Sequence, residues 1–93
     1  MTEAIPERAP DVEPALVVDN RGRGCASGIA RVQRALEDVE DGDVLVVQST
    51  DNRARKEYPQ LAQQTPHELL AIESERGRFL RKSYTTYLEI HRE

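Results

Sequence analysis

Past residue 14 the apolar positions of the chain alternate between two periods, and the changes of period mark its elements. Residues 15–18 (Ala-Leu-Val-Val) form a short apolar run ended by Asp19 and a glycine turn, the pattern of a strand. Ile29, Val32, Ala35, Leu36 and Val39 then recur every three or four positions, which predicts one apolar stripe on a helix closed by Gly42. Glu37, Asp38, Glu40 and Asp41 would occupy the last turn of that helix, where they oppose its dipole, and the sequence offers no reason for them. Residues 44–47 are continuously β-branched or aliphatic, as a central strand covered on at least one face requires, and Ser49-Thr50-Asp51 ends them.

Asp51 is suited to N-cap a second helix, with Ala54, Tyr58, Leu61 and Ala62 on one side. Pro59 lacks an N–H and is expected to kink or restart that helix, and Thr65-Pro66 to stop it. Residues 69–72 and 87–90 read as two more strands, an antiparallel hairpin joined through a charged segment containing Gly77. The order βαβαββ predicts an α/β (α+β) two-layer sandwich: a four-stranded mixed sheet with two helices on one face. Residues 1–14 carry Pro6, Pro10 and Pro14 among acidic residues, with little apolar material to bury, and are expected to form a disordered tail ahead of one domain at 15–93. No internal repeat is evident.

Composition narrows the class. At 93 residues and 38% hydrophobic content, with no tryptophan and one phenylalanine, the chain suits a single domain with an aliphatic core. One cysteine cannot form an internal disulfide, and neither a signal segment nor a membrane-length apolar run is present, so the expected compartment is the cytoplasm. The net charge of −4 argues against nucleic-acid binding, and the arginines between residues 21 and 55 read as a solvated face or, more sharply, a docking surface.

Cys25 follows Asp19-Asn20-Arg21-Gly22-Arg23-Gly24, on a glycine-rich turn between the first strand and the first helix. A helix N-terminus and the cations Arg21 and Arg23 favour the thiolate, so a reactive thiol is the chemical reading, against the bland one of a small buried hydrophobe.

The spaced motifs resemble the TusA/SirA family of small sulfur-transfer proteins, over roughly residues 15–92. Its Asp-x-Arg-Gly-x-x-Cys segment is matched by Asp19, Arg21, Gly22 and Cys25, its Gly-Asp and Thr-Asp turns by Gly42-Asp43 and Thr50-Asp51, and its later Gly-His-Glu-Leu-like strand by Pro66-His67-Glu68-Leu69. The resemblance implies a relay in which Cys25 carries sulfane sulfur as a persulfide, while Asp19, Arg21 and Gly22 shape the turn and Arg21 partners the sulfur electrostatically. It implies two protein partners, a cysteine desulfurase or rhodanese-like donor and an acceptor sulfurtransferase, and leaves the pathway open among tRNA thiolation, cofactor synthesis and sulfur oxidation. The family motif continues Cys-Pro-x-Pro, whereas this chain has Cys25-Ala26-Ser27-Gly28. Without the prolines, Ser27 is a candidate N-cap that would start the helix late and distance Cys25 from its dipole.

Other chemistry has less support. His67 and His91 lack metal-ligand spacing with each other or with Cys25, no carboxylate pair stands out, and no cofactor or metal is expected. The competing function is a noncatalytic interaction module that keeps the fold and has lost transfer.

Overall fold

The computed structural model describes residues 13–22, 24–76 and 82–91. The expected tail lies, up to residue 12, outside the described residues, as do Arg23 and the charged connection at 77–81. The elements follow the predicted order: β1 (Leu16–Asn20), α1 (Cys25–Ala35), β2 (Val44–Ser49), α2 (Ala54–Gln63), β3 (Glu68–Arg76) and β4 (Lys82–Glu89). The sheet order is β1-β2-β4-β3, with β1 parallel to β2 and both β2 and β3 antiparallel to β4. Inserting the last strand between β2 and β3 makes the sheet mixed, and β1 and β3 are its edges.

Pairing register explains which side chains meet. Val18, Val47 and Thr86 lie abreast on one face, as do Leu16, Leu45 and Leu88. Val18, Leu45, Val47, Ile72, Tyr84 and Leu88 join Val32 of α1 and Tyr58 and Leu61 of α2 in one apolar cluster, so both helices cover the same face. Burying each such side chain contributes roughly 1.5–3 kcal/mol, and this cluster holds the two layers together. Leu70 is an extra residue between Leu69 and Ala71, a bulge in β3 that shifts the alternation. Glu68, ahead of it, and Ala71 and Glu73, behind it, therefore all share the face opposite the helices.

The boundaries differ from the expectation in ways that have physical causes. α1 ends at Ala35, followed by a single 3-10 turn over Leu36–Asp38, and Val39 is extended rather than helical. Arg34 is thus the charge in the last α-helical turn, where a cation belongs, and the acidic run lies beyond it. The turn beyond the run is held in part by Asp43, whose carboxylate accepts the Glu40 N–H at 2.8 Å. Gly42 sits at φ 87°, a left-handed conformation that glycine adopts at little cost, and its N–H donates to the Ile90 carbonyl at 2.7 Å, tying this turn to the end of β4.

α2 also starts later than Asp51. Arg53 is its N-cap without a side-chain bond, while Asp51 accepts the Arg53 N–H at 2.9 Å and shapes the turn before it. Pro59 neither breaks nor restarts α2, which runs on to Gln63 through it; packing of Tyr58 and Leu61 against the sheet outweighs the bond a proline cannot donate. The strands β3 and β4 extend well beyond the expected segments, because their polar outer positions still pair in the ladder.

Candidate functional site

The functional end of the molecule is where β1 and β2 both finish. Beyond Asn20 the chain turns sharply at Gly22, whose φ of 82° is the kind only glycine takes readily, and the Gly22 N–H donates to Thr50 Oγ1 at 2.9 Å. That bond fastens the first turn to the end of the neighbouring strand. The Asp19 carboxylate accepts three donors from Arg21: the backbone N–H at 3.1 Å, Nε at 2.9 Å and Nη2 at 2.8 Å. The Arg21 side-chain fork, reinforced by its N–H, draws the Asp19 carboxyl from 3.8 down to about 2, and the same carboxylate raises the Arg21 guanidinium above its ordinary range. Both side chains are more than half exposed, so the pair fixes the shape of the turn rather than the stability of the fold. Arg31 of α1 adds a bond from Nη1 to the Asp19 carbonyl at 3.2 Å.

Gly24 is the N-cap of α1, in extended conformation at φ −68° and ψ 158°, and Cys25 is the first helical residue. The expected capping by Ser27 does not occur: the helix has no side-chain cap bond, and the Gly28 N–H already closes the first helical turn on the Gly24 carbonyl at 2.9 Å. The helix therefore begins at the cysteine without the help of prolines. No acidic residue stands in its first turn, and the backbone N–H groups there, which the helix does not itself use, concentrate positive potential. The side chains of Cys25 and Ala26 lie outside the described residues, and so does the expected contribution of Arg23.

Beneath this terminus, Asn20 is 1% exposed and its amide donates to the Gly28 carbonyl at 2.9 Å and to the Tyr58 hydroxyl at 3.3 Å. One side chain thus links β1, α1 and α2 directly behind the turn. Asn20 was not among the sequence-predicted site residues, although an amide between an apolar strand and a glycine turn is a detectable signal.

The same tripeptide recurs at the next strand-to-helix turn, although no internal repeat was expected. Asp51-Asn52-Arg53 follows β2 as Asp19-Asn20-Arg21 ends β1, and Asp51 binds Arg53 with the same fork, Nη2 to Oδ2 at 3.0 Å and Nε to Oδ1 at 3.3 Å. Its Asn52 accepts the Tyr84 hydroxyl at 2.9 Å. Because β1 and β2 are parallel neighbours, both carboxylate–arginine turns stand at the same end of the strands.

The histidines stand elsewhere. His67 precedes β3 and His91 follows β4, and the His91 N–H donates to His67 Nδ1 at 3.1 Å. That is the end of the sheet at which β2 begins, a strand length of roughly 17 Å from the end at which it finishes, so Cys25 shares no site with them.

The family model for the sulfurtransferase TusA matches residues 16–82. A protein of Archaeoglobus fulgidus named "Putative sulfur carrier protein" is 33% identical over 60 residues, which is 64% of this chain and 82% of that protein. A protein of Neisseria meningitidis serogroup A with the same descriptive name is 36% identical over 62 residues, 67% of this chain and 84% of its own. Among solved structures, the SirA-like protein from Desulfitobacterium hafniense superposes with a TM-score of 0.56 at 16% identity, covering 77% of this chain and 95% of that one, a likeness of fold.

Proposed function

The chain belongs to the TusA family of sulfurtransferases, and from that premise we propose that it relays sulfane sulfur as a persulfide on Cys25. The observation that carries the reading is the position of Cys25 as the first residue of α1, behind the Asp19–Arg21 turn. There the helix terminus favours the thiolate, the form that attacks sulfur. In the loading step the Cys25 thiolate attacks the outer sulfur of a donor persulfide. A new S–S bond forms at Cys25, the donor S–S bond breaks, and the donor leaves as a thiolate. The acceptor thiolate repeats the displacement on the outer sulfur of Cys25, so no external oxidant or reductant is consumed. A cysteine desulfurase or a rhodanese-like protein fits the donor role and a second sulfurtransferase the acceptor role, in the reducing cytoplasm that keeps a lone thiol free.

The noncatalytic reading leaned on the missing prolines and a delayed helix. The start of α1 at Cys25 removes the delayed helix but not the changed motif, and the chemical test decides between the two. Intact-mass measurement after incubation with a persulfide donor should show a gain of one sulfur that Cys25→Ser abolishes and reductant reverses. A wild-type chain that gains no sulfur from competent donors would overturn the relay.

A further inference from the structure

At the end of the strands far from Cys25, the face not covered by the helices gathers Glu68, Glu89 and His91. Glu68 opens β3 and stands directly opposite Glu89 in the ladder with β4, a like-charge cross-strand pair of the kind that costs stability in the absence of a counter-ion. His91 lies two residues beyond Glu89, on the same side of an extended chain, with Ile90 between them fully buried. One oxygen of each carboxylate and one imidazole nitrogen all lie within 4.8 Å of one another.

We propose that Glu68, Glu89 and His91 form a binding site for a divalent first-row metal ion of the zinc class, with solvent completing the coordination. One imidazole nitrogen and two carboxylate oxygens are a donor set that suits such ions, and three protein ligands leave an open position. Two ligand atoms each about 2.0–2.2 Å from a tetrahedral ion stand about 3.4 Å apart. His91 Nε2 and Glu89 Oε1 are 3.1 Å apart, an ion-pair contact when Nε2 carries a proton, and an ion that displaces that proton finds this half of the site at nearly the required spacing. The remaining oxygen, on the exposed Glu68, closes its gap by a side-chain adjustment of about an ångström, small for a flexible glutamate.

The backbone around the ligands is held on both sides. The Ile90 N–H donates to the Asp43 carbonyl at 2.8 Å and its carbonyl accepts from Gly42 at 2.7 Å, while the His91 N–H is fixed by His67 Nδ1. The backbone at His91 therefore does not have to be ordered on binding, and the ion would convert a repulsive carboxylate pair into a clasp joining the start of β3 to the end of β4. Metal binding uses the Nε2 lone pair, so the imidazole binds in its neutral form with any ring proton on Nδ1. The site is independent of the sulfur relay, both in residues and in location.

The test uses the full chain carrying Cys25→Ser, so that a thiol cannot supply the ligand, and titrates it with zinc by calorimetry and with cobalt by visible absorption. One ion per chain is expected, with the unfolding temperature rising as zinc is added. Glu68→Gln and His91→Asn, both on the surface, should each weaken zinc binding by about tenfold or more, as loss of a ligand does. Metal-free Glu68→Gln should be no less stable than its parent, since the repulsion is gone, which separates lost ligation from lost folding. No zinc binding by the Cys25→Ser chain, or binding unchanged in both ligand variants, would overturn the site.

Discussion

The side-chain amide of Asn20 donates to the Gly28 carbonyl across the joint between β1 and the first turn of α1, and the approach depends on Gly28 having no side chain. A Cβ at Gly28 would stand 3.0 Å from Asn20 Nδ2 and 3.4 Å from the Tyr58 hydroxyl. Alanine gains up to about 1 kcal/mol in helix propensity over glycine. Against that, the buried Asn20 amide cannot retreat without weakening bonds worth about 1 kcal/mol each and disturbing its packing. Gly28→Ala should therefore lose roughly 0.5–1 kcal/mol in urea unfolding, and Asn20→Ala about 2 kcal/mol, because truncation also leaves the Gly28 carbonyl without its buried donor. A stabilised Gly28→Ala would mean that Asn20 yields freely.

The same contact separates the two prolines that the family motif would supply. Proline at position 28 would remove the N–H that closes the first turn on Gly24 and would press its ring toward Asn20, so Gly28→Pro should destabilise by about 3 kcal/mol. Proline at position 26 displaces no helical bond, because the N–H there belongs to the unused first turn. It does disfavour helical geometry in the residue before it, so Ala26→Pro should move Cys25 from first helical residue to N-cap at a cost below about 1 kcal/mol. Backbone chemical shifts of Cys25 and denaturant unfolding check both outcomes.

The architecture was readable because period and punctuation agreed. Alternating apolar runs, the stripe through Ile29 and Val32, and the glycines at positions 22 and 42 each mark an element or a turn that exists. Boundaries were harder where tertiary contacts overrode local preference. Val39 continues the stripe through Val32 yet is extended, since an apolar residue packs into the core from either geometry. Pro59 sits inside a helix that packing sustains, and Ser27 does not cap because Gly24 already adopts the N-cap conformation. At the site, Asp19, Arg21 and Gly22 announced themselves by spacing, whereas the role of Asn20 depends on Tyr58, thirty-eight positions away, and no local pattern encodes that contact.

Acid should undo the Asp19–Arg21 turn late. The folded carboxyl sits at about 2 against 3.8 when unpaired, a depressed value, so the stabilisation from this pair is complete above about 4 and is lost as pH falls toward 2. NMR titration of the Asp19 carboxyl carbon should show that low midpoint, and because both side chains are more than half exposed, Asp19→Asn should change the acid limb of the stability curve only slightly between those pH values. The pair also bears on the thiol. With its charge matched by Asp19, Arg21 exerts little net pull within the pair, and Arg21→Ala leaves the Asp19 carboxylate unmatched, so it should raise the Cys25 thiol midpoint. Asp19→Asn leaves Arg21 unmatched and should lower it. Alkylation rate against pH reads both, and shifts of the same sign in the two variants would remove the argument.

Carrier and scaffold differ in what each loses. A carrier presents one sulfur atom to two partners in turn, so Cys25→Ser should abolish sulfur loading while leaving partner affinity and unfolding midpoint within about 0.5 kcal/mol of wild type. Docking instead should draw on the exposed cations of α2 and its approach, of which Arg53 is held in a fixed direction by Asp51 and Arg55 is exposed. Fixed surface charge acts mainly on association, so replacing both arginines with alanine should slow binding of a donor protein several-fold and reduce its salt dependence, with loading by a small-molecule persulfide unchanged. Loading by the donor protein, loading by the small molecule and partner affinity should be measured on wild type, Cys25→Ser and the double arginine variant. The carrier reading requires that the cysteine variant lose both kinds of loading, and docking through the arginines predicts that the arginine variant is slowed only in the protein-dependent kind. A wild type that binds through the arginines but takes sulfur from neither source would make the protein a scaffold.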